Sequence, residues 1–160
     1  MSTDDARKIE AVSRNVLRGF SPERFQAARQ AAGMTRGDLA RLADIRADET
    51  IRRWERGSSS PQVDVLGRAV KALNISAEDV IITDPERRFL SDWRHLKLMT
   101  QPQLAKEAQL STILVTRLER GERELTEEVA AKLANVLGIG IGEVREAYLR
   151  AKTRDPGTPA

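Results

Sequence analysis

MTRGDLARLA, residues 34–43, returns later in the same chain as MTQPQLAKEA, residues 99–108. Downstream of each, RWERG at 53–57 is answered by RLERG at 117–121. About sixty residues separate the copies, enough for each to enclose a small core, so the repeat is a duplicated domain and not a solenoid unit. Within it, Thr35 and Thr100 read as helix N-caps, each with a capping-box partner three residues on, Asp38 and Gln103. Met34 with Leu39, and Met99 with Leu104, complete hydrophobic staples across those caps.

Outward from this stretch the helix signals fall in matching order. A first helix is expected over about 22–32 and 85–97, opened by Ser21-Pro22 and Asp84-Pro85, an N-cap followed by proline at the first helical position. Phe20 and Phe25 sit as a staple on the first of these. A third helix ends at Gly57 and Gly121. A fourth carries Val65, Ala69 and Leu73, matched by Val129, Leu133 and Leu137. A fifth follows Ile75-Ser76, with Asp79 as capping partner, and follows Ile139-Gly140 in the second copy. No alternating strand pattern occurs, so the chain is all-α, with five short helices per copy. The glycines at 138, 140 and 142 follow a helix and not a strand, so they form an interhelical loop and no dinucleotide fingerprint.

The segments divide as an N-terminal arm (1–20), a first domain (21–83), a second (84–152) and a tail (153–160). Residues 4–18 predict an amphipathic helix with Ile9, Val12 and Val16 on one face and Arg7, Lys8, Arg14 and Arg18 largely off it. It either packs on the first domain or acts as a basic arm on DNA or a second subunit, the packed reading being favoured. The joint between the domains spans only about 10 Å, which limits their relative placement. The tail has no apolar content to bury and is expected to be disordered.

Charged residues make up 32 % of the 160-residue chain and aromatics 4 %, with no cysteine. A disulfide framework and thiolate chemistry are therefore excluded, which suits a reducing cytoplasm. No stretch approaches the ~20 apolar residues of a membrane span, and the polar start is no signal peptide. The 27 basic and 24 acidic residues nearly cancel to +3. A nucleic-acid footprint must then come from where the arginines sit. His95 is the single histidine, with neither metal-ligand companions nor a nucleophile beside it, so it reads as a surface residue and no metal or cofactor is implied. Trp54 and Trp93 read as core.

The third helix carries the function. An apolar pair at i and i+3, Ile51 and Trp54 or Val115 and Leu118, faces the core and leaves the opposite face free. In the second copy that outward set is Thr112, Ile113, Thr116, Arg117 and Arg120, with Ser111 as N-cap. Hydroxyls, a methyl-bearing side chain and a forked guanidinium suit a major groove, where arginine binds guanine bidentately and isoleucine touches a thymine methyl. Thr100 and Gln101 stand where a phosphate would meet helix N–H groups. Thr35 and Arg36 hold the same places in the first copy.

Taken together, Thr-Gln-x-x-Leu-Ala, Arg-Leu-Glu-Arg-Gly and Leu-Gly-Ile resemble the Cro/phage-repressor (Xre-type) helix-turn-helix family, over roughly 21–82 and 85–150. The resemblance implies two tandem five-helix, lambda-repressor-like DNA-binding domains that dock the third helix in the major groove of double-stranded DNA, most often as repressors. It also implies that Arg29 pairs with Glu55, and Arg94 with Glu119, as partly buried ion pairs fixing the first helix to the third.

The first copy departs from that pattern. Four residues, Arg46 to Glu49, stand between Ile45 and Thr50, where the second copy has three. Asp48 and Glu49 then occupy the start of the reading helix, where they suit the helix dipole and can accept from cytosine N4 but repel phosphates. Either this copy reads a cytosine-containing site or it has lost base reading and serves protein contact. Arg46, Arg52, Arg53 and Arg56 surround the acids and favour DNA binding by both copies, since the phosphate term dominates affinity. The rival for the whole chain is an interaction protein (antitoxin, antiactivator or coactivator-like) that holds a protein partner or a second copy. An enzyme has almost no support, and no small-molecule sensor domain is evident. High arginine and alanine usage suits a bacterial or phage source.

Overall fold

The computed structural model describes residues 17–160, and the expected helix over 4–18 lies outside them apart from its last two residues. The chain divides into two compact units, one ending at Ile82 and the other beginning at Thr83. Among the described residues every regular element is helical, and the one β-bridge is isolated. None of these helices is long and apolar enough to cross a membrane.

The first unit contains α1 (Pro22–Ala31), α2 (Arg36–Leu42), α3 (Asp48–Arg56) and α4 (Val63–Leu73). The Ser21 hydroxyl accepts from the Arg24 N–H and starts α1 ahead of Pro22. The Phe20 ring lies tilted by 54° against that of Phe25, centroids 5.7 Å apart, and the Phe25 ring meets Trp54 edge-on at 5.6 Å. That chain of aromatics ties the entry of α1 to the inner face of α3. Thr35 and Asp38 form the expected capping box on α2. The expected fifth helix is a single 3-10 turn, Ala77–Asp79. It stops there because the chain is recruited elsewhere: Ser21 N–H donates to Val80 O and Ile82 N–H to Gly19 O, both at 2.8 Å, closing the unit through the Phe20–Ile81 bridge.

The second unit contains α5 (Leu90–Leu96), α6 (Gln101–Glu107), α7 (Thr112–Glu119), α8 (Glu127–Leu137) and α9 (Ile141–Lys152). Its first helix is shorter than the expected 85–97. Asp84-Pro85 starts only a 3-10 turn, Pro85–Arg87, and Arg88 is extended. The helix restarts at Leu90, where the Asp92 carboxylate accepts from the Phe89 N–H at 2.8 Å. Leu104, Val115, Leu118, Leu133, Leu137, Val144 and Tyr148 form the core.

The last helix fastens the loop that follows α7. Tyr148 donates to Arg123 O at 2.9 Å, and the Arg154 guanidinium donates to Arg120 O at 2.7 Å. Arg154 also donates to Thr158 O at 2.8 Å. The first unit secures the matching loop from the other direction, with Leu17 N–H donating to Ser60 Oγ at 2.9 Å.

His95 is not the surface residue its isolation suggested. Its Nδ1 is enclosed without a hydrogen-bond partner, and burial, with the charge of Arg94 next to it, pushes its pKa down to about 3. An unfolded chain takes up this proton below its ordinary value near 6.5, while the folded unit refuses it until about pH 3. Stability is therefore full above that unfolded value and falls as pH drops, by up to about 1.4 kcal/mol per unit. The urea midpoint of the second unit is expected to decrease between pH 7 and pH 5. His95→Gln, which installs the residue found at the matching Gln30, is expected to flatten that dependence; an unchanged slope would show that the ring titrates in contact with water.

Candidate nucleic-acid interface

In each unit a short turn joins two helices whose second member points one face outward. The turns contain Asp44 at φ 53° and Gln109 at φ 56°, matched left-handed residues in a region that side chains rarely adopt. The turn from α2 to α3 is one residue longer than that from α6 to α7. The extra residue is accommodated ahead of α3, so the helices themselves correspond in role: Ile51 and Trp54 are buried in one, Val115 and Leu118 in the other.

Both helices are held by a buried carboxylate. Arg94 Nε donates to Glu119 Oε1 at 2.6 Å and Nη2 to Oε2 at 3.2 Å, while Nη1 reaches Met99 O at 2.9 Å. Arg29 repeats this fork on Glu55 and on Met34 O. The two ion pairs implied by the resemblance are thus present, and they belong to the scaffold.

The third partner of each carboxylate differs. In the second unit Gln101 Nε2 donates to Glu119 Oε2 at 2.8 Å, and Gln101 Oε1 accepts from the Thr116 hydroxyl at 2.9 Å. Gln101 and Thr116, both expected at the interface, are therefore coupled to each other and to the buried pair. In the first unit Arg36 takes the place of Gln101 and donates to Glu55 Oε2 at 2.7 Å. Burial raises the Glu55 carboxyl, but the bonds from Arg29 and Arg36 outweigh it and hold its pKa below the ordinary value. Its side chain is 2 % exposed, against 34 % for Arg36, so Arg36 bridges interior and surface.

The outward faces also differ. Ser111 caps α7 by accepting from the Leu114 N–H. Thr112, Ile113, Arg117 and Arg120 lie on the outer side of the helix; Ile113 is 67 % exposed, and neither arginine has an ion-pair partner among the described residues. Ala47 at the start of α3 offers no capping side chain, so Asp48 and Glu49 meet the positive end of the helix instead. Glu49 pairs with Arg52 at 3.1 Å and with Arg53 at 3.7 Å. Such exposed intrahelical pairs contribute only about 0.5 kcal/mol, whereas a good base contact contributes about 1–3 kcal/mol. The cluster is weak enough to open against a matching base. Arg46 and Arg56 are exposed beside it.

Thr35 and Thr100 cap α2 and α6 by accepting from the Asp38 and Gln103 N–H groups, which leaves each hydroxyl proton to donate. The pairing of Glu49 had a legible signal in its i, i+3 and i, i+4 spacing to Arg52 and Arg53. The Glu119–Gln101–Thr116 chain had none, because it depends on how two helices cross.

A family model described as helix-turn-helix matches the chain twice, over residues 25–80 and 90–144. No curated protein and no solved structure matches it. With most of both units covered, the chain belongs to the helix-turn-helix family of Cro and the phage repressors, a family of DNA-binding regulators, in two tandem copies.

Proposed function

We propose that the protein is a sequence-specific double-stranded DNA-binding regulator, most simply a repressor, that places α3 and α7 in the major groove. The observation that supports this most is the outward face of α7: an exposed Ile113 and two exposed arginines without ion-pair partners among the described residues, mounted on a helix fixed from behind by the Arg94–Glu119 pair. Arg117 and Arg120 supply bidentate donors to guanine or to flanking phosphates. Thr112, at the exposed start of the helix, and Thr116, oriented by Gln101, add polar contacts. Ser111, Thr100 and Gln101 flank the phosphate track. In the first unit Arg46, Arg52, Arg53 and Arg56, with Thr35 and Arg36 behind them, form the corresponding surface around Glu49.

Fluorescence anisotropy against the protein's own upstream duplex and a scrambled one, at two salt concentrations, tests the reading. Arg117→Ala is expected to weaken specific binding by about 1–3 kcal/mol and to relax base preference, with the salt slope nearly unchanged. Equal, salt-labile binding to every duplex, indifferent to Arg117→Ala, would leave only the non-specific phosphate term. The mixed-charge Glu49–Arg52–Arg53 cluster favours the second reading, in which the first unit holds a protein partner. If the second unit serves the same purpose and the whole chain is an interaction protein, Arg117→Ala leaves activity intact.

A further inference from the structure

The outward positions of α3 and α7 correspond one to one once both are aligned on their buried glutamates, Glu55 and Glu119. Arg53 answers Arg117 and Arg56 answers Arg120, so one half of each face is alike. The other half is opposite in chemistry: Asp48 stands for Thr112, Glu49 for Ile113 and Arg52 for Thr116.

Ile113 is 67 % exposed and has no polar side-chain atom, so against a base edge it finds a matching surface in the thymine methyl. Glu49, 45 % exposed, can only accept hydrogen bonds when ionised and must face a donor. It does so with the Arg52 guanidinium 3.1 Å away, which sets an acceptor beside donors. A C·G pair presents the complement of that arrangement, the cytosine N4 amino group beside the guanine O6 and N7 acceptors. A T·A pair would set a methyl against the charged couple instead.

We infer that one chain recognises a duplex with two unlike half-sites, a thymine beneath Ile113 in one and a C·G pair beneath the Glu49–Arg52 couple in the other. The inference rests on the DNA-binding reading above and makes Glu49 a specificity-determining residue. It also makes the site asymmetric, since one chain carries both addresses.

Selection of duplexes from a random library by the full chain tests it, with wild type, Glu49→Gln, Ile113→Ser and Arg117→Ala run in parallel. The wild type is expected to enrich two different half-sites. Glu49→Gln is expected to lower the preference for C·G at one position roughly tenfold and move it toward adenine, which glutamine reads bidentately, leaving the thymine of the other half-site unchanged. Ile113→Ser is expected to relax that thymine alone. Thermal melts of the variants, all changed at exposed positions, check that the fold is retained. Two identical half-sites, or a preference indifferent to Glu49→Gln, overturn the inference while enrichment lost only in Arg117→Ala keeps the DNA-binding reading. Enrichment of no sequence by the wild type overturns both and leaves the first unit to a protein partner.

Discussion

Gly121→Ala is expected to unfold the second unit at temperatures where Gly57→Ala leaves the first unit folded. Gly121 follows α7 and Gly57 follows α3 at positive φ, +70° and +75°, which costs alanine about 1–2 kcal/mol. There the likeness ends. A Cβ on Gly121 would lie 2.6 Å from Lys152 Cα and 2.8 Å from its N, in the backbone of α9, whereas one on Gly57 would meet Pro22 Cγ at an ordinary 3.7 Å. Backbone cannot swing aside as a side chain can. Relief requires α9 to move, and α9 carries Val144, Ala147, Tyr148 and Ala151 into the core. We expect a loss above roughly 3 kcal/mol at Gly121, against about 1 kcal/mol at Gly57. For a domain of this size that is a drop of more than about 12 °C against about 4–8 °C. Hydrogen exchange resolved to each unit measures both, and equal losses would show that α9 yields without cost.

Glu119→Ala should be as damaging, for an electrostatic reason. The change leaves the Arg94 guanidinium buried with one carbonyl partner, Met99 O, and removes the acceptor that orients Gln101. Removing one member of a buried ion pair costs about 3–5 kcal/mol, because the remaining charge has no water to return to. Replacing both members, Arg94→Met with Glu119→Leu, is expected to recover much of that stability, since the desolvated charge is gone. The double variant should nevertheless bind DNA less specifically, as Gln101 and Thr116 lose their anchor. Denaturant midpoints of the single and double variants decide the matter. A double variant no more stable than Glu119→Ala would mean that the pair itself, and not the orphaned charge, sustains the unit.

The helix starts were legible because they are local. Thr35 with Asp38, Thr100 with Gln103 and Ser111 alone satisfy N–H groups within three residues, and sequence order suffices to see it. Asp84-Pro85 misled for the same reason. The pair is a sound start signal, but the helix beyond it is governed by Asp92, which claims the Phe89 N–H and delays the first full turn to Leu90. The fifth element of the first unit shrank to a turn because Val80 and Ile82 bond to Ser21 and Gly19, contacts far apart in sequence. At the candidate interface the exposed face of α7 was readable from the i, i+3 spacing of Val115 and Leu118. The inward turn of Gln101 and Arg36 toward buried carboxylates was not, since residue type alone suits them equally to a phosphate.

The buried glutamate on the inner side of α3 and of α7 has an evolutionary consequence. It separates the residues that must agree with the interior from those that meet the outside, although they alternate along one short segment. After a duplication, the exposed positions of either copy can drift without disturbing the fold, as Glu49 against Ile113 illustrates. The arginine–glutamate clasp fixes how the helix is held and leaves the positions that do not touch it, such as 49 and 113, open to change.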